Sequence, residues 1–293
     1  MIELGIAPIG WTNDDLPELG GHITFEQCIS EMSLAGFKGC EVGNKFPRDP
    51  EELRHYLIPR NLQVAAAWFS SYLTTKPYED SAQAFIEHRD FLHAMGAKVI
   101  VVSEQGNSIQ GNPSIAVTAS QPVFTEKEWN LLIDGLEKLG DLAAEKGMKI
   151  AYHPHMGTGI QTNRDIARLM DHSDSQKVSL LYDCGHLYFA RENIYEVLTK
   201  YMDRIVHIHL KDVREEILVQ VEQQQLSFLT AVKEGVFTIP GDGKIDFTPI
   251  FEMIKQSDYS GWIIVEAEQD PAKANPLIYA KNARQFIHEH AGW

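Results

Sequence analysis

The sequence predicts a single (β/α)8 barrel over residues 1–293, on three observations. Short apolar, β-rich runs alternate with amphipathic helical runs eight times, the pattern of parallel βαβ units. A chain of 293 residues suits such a barrel, typically about 250 residues long. No GxGxxG follows the first strand, where a nucleotide-binding doubly wound sheet would place it.

The first strand is "ELGIAPI" (3–9), and "TFEQCISEMSLAG" follows with apolar residues at 25, 29, 32 and 34. Thr24 caps that helix and Gly36 stops it. "GCEV" (39–42) and a helix over 50–58 come next, then "LQVAAAWF" (62–69) with a helix over 78–95. "KVIVVS" (98–103) leads through a long connection, 104–124, into an amphipathic helix from 125 that ends at Gly147. "KIAYHPH" (149–155) pairs with a helix over 163–171, and "VSLLYDCG" (178–185) with one over 192–201. "IVHIHL" (205–210) opens a second long connection, 211–245, before "DFTPIFEMIKQ"; "WIIVEAE" (262–268) and "NPLIYAKNARQFIHEH" close the chain. Both long connections follow strand C-termini, the face on which barrels carry their sites, and read as lids or pocket walls. Inside the second, "IPGDGKIDF" reads as a tight turn with Gly241 and Gly243 as its flexible points and Asp246 as a helix cap. A phosphate cradle is the weaker reading, since it needs an anion-binding helix start.

Lys and Arg number 26 against 41 Asp and Glu, for a formal charge of −15. That repels phosphate backbones and anionic bilayers, so neither nucleic acid nor a membrane is an expected partner. Cys28, Cys40 and Cys184 are an odd number without paired spacing, which suits a reducing cytosol. "MIELGIAPIGW" reads as a strand, not a signal peptide, and no apolar run approaches the ~20 residues that span a bilayer. A cytoplasmic protein is expected.

The strand ends carry the chemistry. His153 and His155 share a face, because side chains alternate along a strand. The sixth strand ends in Asp183, with His186 just beyond; the seventh holds His207 and His209, then Lys211; the eighth ends in Glu266 and Glu268. Glu41 lies on the second strand and Glu104 ends the fourth. A lone strand-end histidine is more often a hydrogen-bonded side chain, and a lone Asp there a helix cap. Four consecutive strands with metal-competent ends outweigh that. Imidazole and carboxylate together suit Mn²⁺, Co²⁺, Zn²⁺ or Fe²⁺. Cys184 should point away from Asp183, which disfavours a thiolate zinc site.

"YDCGH", "HIHLKD" and "GWIIVEAEQD" resemble the xylose-isomerase-like barrels, which include sugar isomerases, ketose 3-epimerases and endonuclease IV. The resemblance implies metal ligands Asp183, His209 and Glu266. The strand-five Glu of that pattern falls on His153, so His153, His155 or Glu268 completes the set. "APIGWTNDD", "EVGNKFP", "AAWFSSYLTT", "VVSEQGNSIQG", "YHPHMGTGIQT", "YDCGHL", "FLTAVKEGVFTIPGDGKIDF" and "VEAEQDPAKANP", in order across nearly the whole chain, are similar to the inosose dehydratase family of bacterial inositol catabolism. That resemblance implies dehydration of 2-keto-myo-inositol to a trihydroxycyclohexane-1,2-dione, with Mn²⁺ or Co²⁺, and with glutathione also as cofactor. For that reaction Glu41, His186, Lys211 and Glu268 are the proton-transfer candidates, His186 foremost. Trp11, Asn13, Asn44, Trp68 and His155 are candidate walls for a polyol ring, with ordinary packing an equal reading of both tryptophans. An isomerase or epimerase on the same metal is the alternative; a barrel that binds a polyol without turning it over ranks lower. A nuclease is disfavoured by the charge. Barrels of this type often pair, so a homo-oligomer is compatible.

Overall fold

A computed structural model describes all 293 residues. Its strands are β1 (Ile2–Ile6), β2 (Gly39–Glu41), β3 (Gln63–Ala66), β4 (Trp68–Ser71), β5 (Val99–Glu104), β6 (Lys149–Tyr152), β7 (Val178–Asp183), β8 (Ile205–Leu210), β9 (Asp212–Val213), β10 (Phe237–Thr238) and β11 (Gly261–Val265). Nine of them form one parallel sheet in the order β3-β2-β1-β11-β8-β7-β6-β5-β4. The sheet begins and ends with segments that adjoin in the chain. The predicted third strand is thus one run that changes partner: Val42 N–H donates to Ala66 O, and Val101 N–H to Ala67 O. That switch closes the barrel. The predicted (β/α)8 fold is the one observed.

Alternation fills the lumen. Ala66, Val99, Val101, Ala151 and Leu181 form one small buried cluster, and Ala7, Ala65 and Ile264 another, below the polar strand ends. Trp262 closes that end only because residue 39 is glycine; a Cβ there would lie 2.4 Å from its ring. The main core packs between strands and outer helices. Those helices start where the sequence places caps: Thr24 accepts from Gln27 N–H, and Thr125 and Thr162 form capping boxes with Glu128 and Asp165. No helix is long and apolar enough to cross a membrane.

Predicted boundaries move at three strand ends that carry candidate site residues. The fifth strand stops at Tyr152, after which His153 N–H still bonds Val102 O, but Pro154 has no N–H to continue. The sixth stops at Asp183, which caps an unpredicted short helix, Cys184–Phe189, through Oδ1. The eighth stops at Val265, leaving Glu266 and Glu268 on the following loop.

The connection 211–245 is folded rather than a loop. β9 pairs antiparallel with β10, and helices Glu215–Gln224 and Phe228–Glu234 lie between them. The Asp212 carboxylate accepts from the N–H groups of Gly241, Gly243 and Ile245 at 3.1, 3.0 and 2.9 Å. The anion nest of "PGDGK" is therefore filled by the protein's own carboxylate, which displaces the phosphate reading. Segment 104–124 is irregular, and is tied down by Ile109 N–H to Gly157 O and Val117 N–H to Leu226 O.

Candidate metal centre and its cavity

Parallel strands in a closed barrel deliver their C-terminal side chains to one point. There His153, Asp183, His209 and Glu266 present four potential ligand atoms, all within 4.8 Å of one another. Asp183 Oδ2 lies 3.6 Å from both His153 Nε2 and His209 Nδ1, and His209 Nδ1 also touches Glu266 Oε2. Asp183 Oδ2, His209 Nδ1 and Glu266 Oε2 have no hydrogen-bond partner in the protein. Buried polar atoms left unpaired yet aimed at one another call for a shared partner, and a divalent cation fits this oxygen and imidazole set. His153 Nδ1 faces Pro154 O at 2.8 Å, which places its proton there and leaves Nε2 bare toward Asp183.

The field at this point is strongly negative. Burial would lower the His209 pKa, but Glu41 and Glu266 outweigh it and hold the imidazole well above its ordinary range. His153, where burial and the His209 charge prevail over the carboxylates, is pulled down to about 4 and stays neutral. Lys211 is fully buried and still held above the usual lysine range, because Glu266, Glu268 and Asp183 overcome its desolvation. Its Nζ donates to Glu268 Oε1 at 2.9 Å and to His186 Nε2 at 3.0 Å, and sits 3.2 Å from Glu266 Oε1. Burial pushes the Glu268 carboxyl up, Lys211 pulls it back and Glu266 pushes again, leaving it at about 7. His186, desolvated and close to His155 and Lys211, stays neutral.

A cavity of about 420 Å³ opens on this centre, a size suited to a small ring. Glu41, Trp68, His155, His209, Glu266 and Glu268 border it on the barrel side. Trp68 meets the rings of His153 and His155 edge-on at 5.5 Å, and Asn44 lines the opposite rim with its N–H held by Asp14. Gln110 Nε2 reaches Asp15 Oδ2 at 2.8 Å, so segment 104–124 does form a wall across the mouth.

The structure brings His153, Asp183, His209 and Glu266 into one cluster. His155 instead packs against His186 in a tilted arrangement, ring centroids 3.8 Å apart, and groups with Glu268 rather than with the other four. Both Glu266 and Glu268 border the cavity; His186 and Lys211 lie behind it and do not. Two expected wall residues are elsewhere. Trp11 is buried with its indole N–H on Glu31 at 2.6 Å, and the Asn13 side chain is spent accepting from Asp15 and Leu16 N–H. Neither borders the cavity, because the loop after β1 turns them into the protein. Glu104 is no site residue: both oxygens are occupied by loop donors. Cys184 turns its Sγ to Lys211 O, away from the cluster as expected. Residues missed in the sequence are Asp14, Asp15, Arg48, Ser70, Tyr72, Gln105 and Gln110. The available signal was position alone: Ser70 lies on β4 and the others follow strand ends.

Residues 29–290 match the family model "Xylose isomerase-like TIM barrel". The chain is 64% identical over 291 residues to an inosose dehydratase of Geobacillus thermodenitrificans (strain NG80-2), covering 99% of this chain and 98% of that one. It is 60% identical over 286 residues to an inosose dehydratase of Lacticaseibacillus casei, covering 98% and 96%. Among solved structures, the IOLI protein with a bound zinc atom superposes with a TM-score of 0.73 at 15% identity, covering 99% and 98% of the two chains. A probable 3-DHS dehydratase, AsbF, from Bacillus anthracis does so at 0.74 and 13%, covering 97% and 98%. At such identity these two speak to the fold.

Proposed function

This chain belongs to the Xylose isomerase-like TIM barrel family and stands within it among the inosose dehydratases, and on that premise we propose how its residues remove water from 2-keto-myo-inositol. The observation that carries the reading is the four-residue cluster whose His209 and Glu266 border a ring-sized cavity, with Glu268 on the same border. His153, Asp183, His209 and Glu266 would hold a divalent cation, which would supply Lewis acidity for the ketone. Manganese or cobalt is the ion we assign; zinc and iron suit the same donors. Of the cofactors implied by resemblance, the donor set speaks to the metal alone.

Trp68 offers an apolar face to the ring, while Asn44 and the carboxylates meet its rim of hydroxyls. Glu268 takes the proton from the carbon beside the ketone. Lys211 fixes that carboxylate from behind, with His186 on the far side of the ammonium. The same proton passes to the hydroxyl leaving the next carbon, which departs as water. The carbon that lost the proton carries a hydroxyl, so the new double bond is an enol, and it tautomerises to the 1,2-dione. The cavity's acidic border suits a neutral polyol, and three buried free cysteines suit a reducing cytosol.

The test uses metal-stripped protein and 2-keto-myo-inositol, with Mn²⁺ or Co²⁺ added back and the dione followed by ultraviolet absorbance. Metal-dependent dione formation is expected. Metal uptake without dione would end the substrate assignment. In the same assay Glu268→Gln should bind metal and lose turnover at least about 100-fold; an undiminished rate removes Glu268 from the proton path.

A further inference from the structure

β8 carries His207 and His209 on one face, and the end of β2 brings Glu41 against both across the lumen. Glu41 Oε1 accepts from His207 Nε2 at 2.8 Å and from His209 Nε2 at 3.0 Å. Glu41 Oε1, a carboxylate oxygen within hydrogen-bond distance of both ring nitrogens, is the acceptor for each. Each imidazole must then carry a proton on Nε2. In neutral His209 that leaves the Nδ1 lone pair bare, and Nδ1 is the atom that faces Asp183 and Glu266. His207 Nδ1 has no partner, as suits a bare nitrogen, since buried N–H groups without an acceptor are rare.

We propose that Glu41 is a positioning residue that locks His209 in the Nε2–H tautomer and so makes Nδ1 its metal-binding nitrogen, with His207 holding the Glu41 carboxylate in place. The inference rests on His209 being a metal ligand, as argued above. A ring free to exchange tautomers would turn an N–H toward the cation for part of the time. The hydrogen bond prevents that, fixes the ring plane and raises the basicity of the ligating nitrogen. Glu41 thereby leaves the set of proton-transfer groups, although its carboxylate borders the cavity. Glu41, His207 and His209 also form a metal-competent trio of their own. An ion there would need both Nε2 atoms bare, so the two arrangements exclude each other.

The experiment is a long-range ¹H–¹⁵N spectrum of histidine-labelled protein loaded with Zn²⁺, alongside a zinc titration against a competing chelator. The His209 signals, assigned by their loss in His209→Gln, should show a protonated Nε2 and a zinc-shifted Nδ1, with one equivalent bound per chain. Glu41→Leu, checked for folding by thermal melting, should weaken zinc about 10- to 100-fold. Glu41→Gln, whose carbonyl oxygen can still accept both N–H groups, should keep the tautomer and lose less. Zinc on His209 Nε2, a second equivalent lost in Glu41→Leu, or wild-type affinity in folded Glu41→Leu overturns the proposal. Wild-type protein that takes up no zinc overturns the ligand set and this inference with it, a different result from the others. Should Glu41→Leu not fold, the wild-type tautomer and Glu41→Gln decide.

Discussion

The two carboxylate oxygens of Asp183 have different partners. Oδ1 accepts from Gly185 and His186 N–H at 2.8 and 3.0 Å and caps the short helix that carries His186; Oδ2 faces His153 and His209 without a hydrogen bond. One side chain thus positions His186 through one oxygen and turns the other to the His153, His209 and Glu266 cluster. Asp183→Asn should keep the cap and stay within about 0.5 kcal/mol of wild type, whereas Asp183→Ala should lose about 1 kcal/mol more in a urea melt. Both should lose stoichiometric Co²⁺ binding. Tight, one-equivalent cobalt in folded Asp183→Asn would take Asp183 out of the ligand set.

At the scale of elements, the cavity wall depends on a carboxylate that never meets the cavity. Glu104, at the end of β5, accepts from Ser71 Oγ at 2.6 Å, Leu73 N–H at 2.9 Å, Thr74 N–H at 3.1 Å, Thr74 Oγ1 at 2.9 Å and Gly106 N–H at 3.1 Å. It ties the loop after β4 to the loop after β5, and these carry Tyr72, Gln105 and Gln110 to the cavity. Gly106 is required there, because a Cβ would lie 2.2 Å from Thr74 Oγ1. Glu104→Gln sets an NH₂ group against donors and leaves buried N–H groups unpaired, so it should cost about 2–4 kcal/mol of stability. KM for the polyol should rise more than kcat falls, because the His153, Asp183, His209 and Glu266 cluster is carried by other segments. Stability within about 0.5 kcal/mol of wild type would show that water or a shifted backbone replaces the carboxylate.

Across the whole molecule, closure makes every sector depend on its neighbours. The third strand joins the two edges of the sheet, and Trp262 on β11 packs over Gly39 on β2 at the closed end. Cys28 and Cys40 lie near one another beside β2 and Cys184 follows β7, four strands away round the sheet, each buried and free. If residues 1–293 are one domain, a thiol reagent in rising urea should label all three with a single midpoint that coincides with loss of helical circular dichroism. Cys184 labelled at a separate midpoint from Cys28 and Cys40 would split the barrel into two cooperative units.

The sequence alone determined the βαβ alternation, the helix caps and the face on which the site lies. Periodicity and capping are local, and parallel strands send their C-termini to one end whatever else they do. Parity placed His153 with His155 and Glu266 with Glu268, but parity could not rank the members of a pair. Only the tertiary structure decided that His153 meets Asp183 while His155 packs against His186. That choice depends on where Pro154 ends β6 and on the radial position of each strand end. It also turned Trp11 and Asn13 inward, filled the "PGDGK" nest with Asp212, folded 211–245 into helices, and set Glu41 against His209. Each of these is a contact between distant segments, and the energy of such a contact belongs to the pair, not to either stretch of sequence.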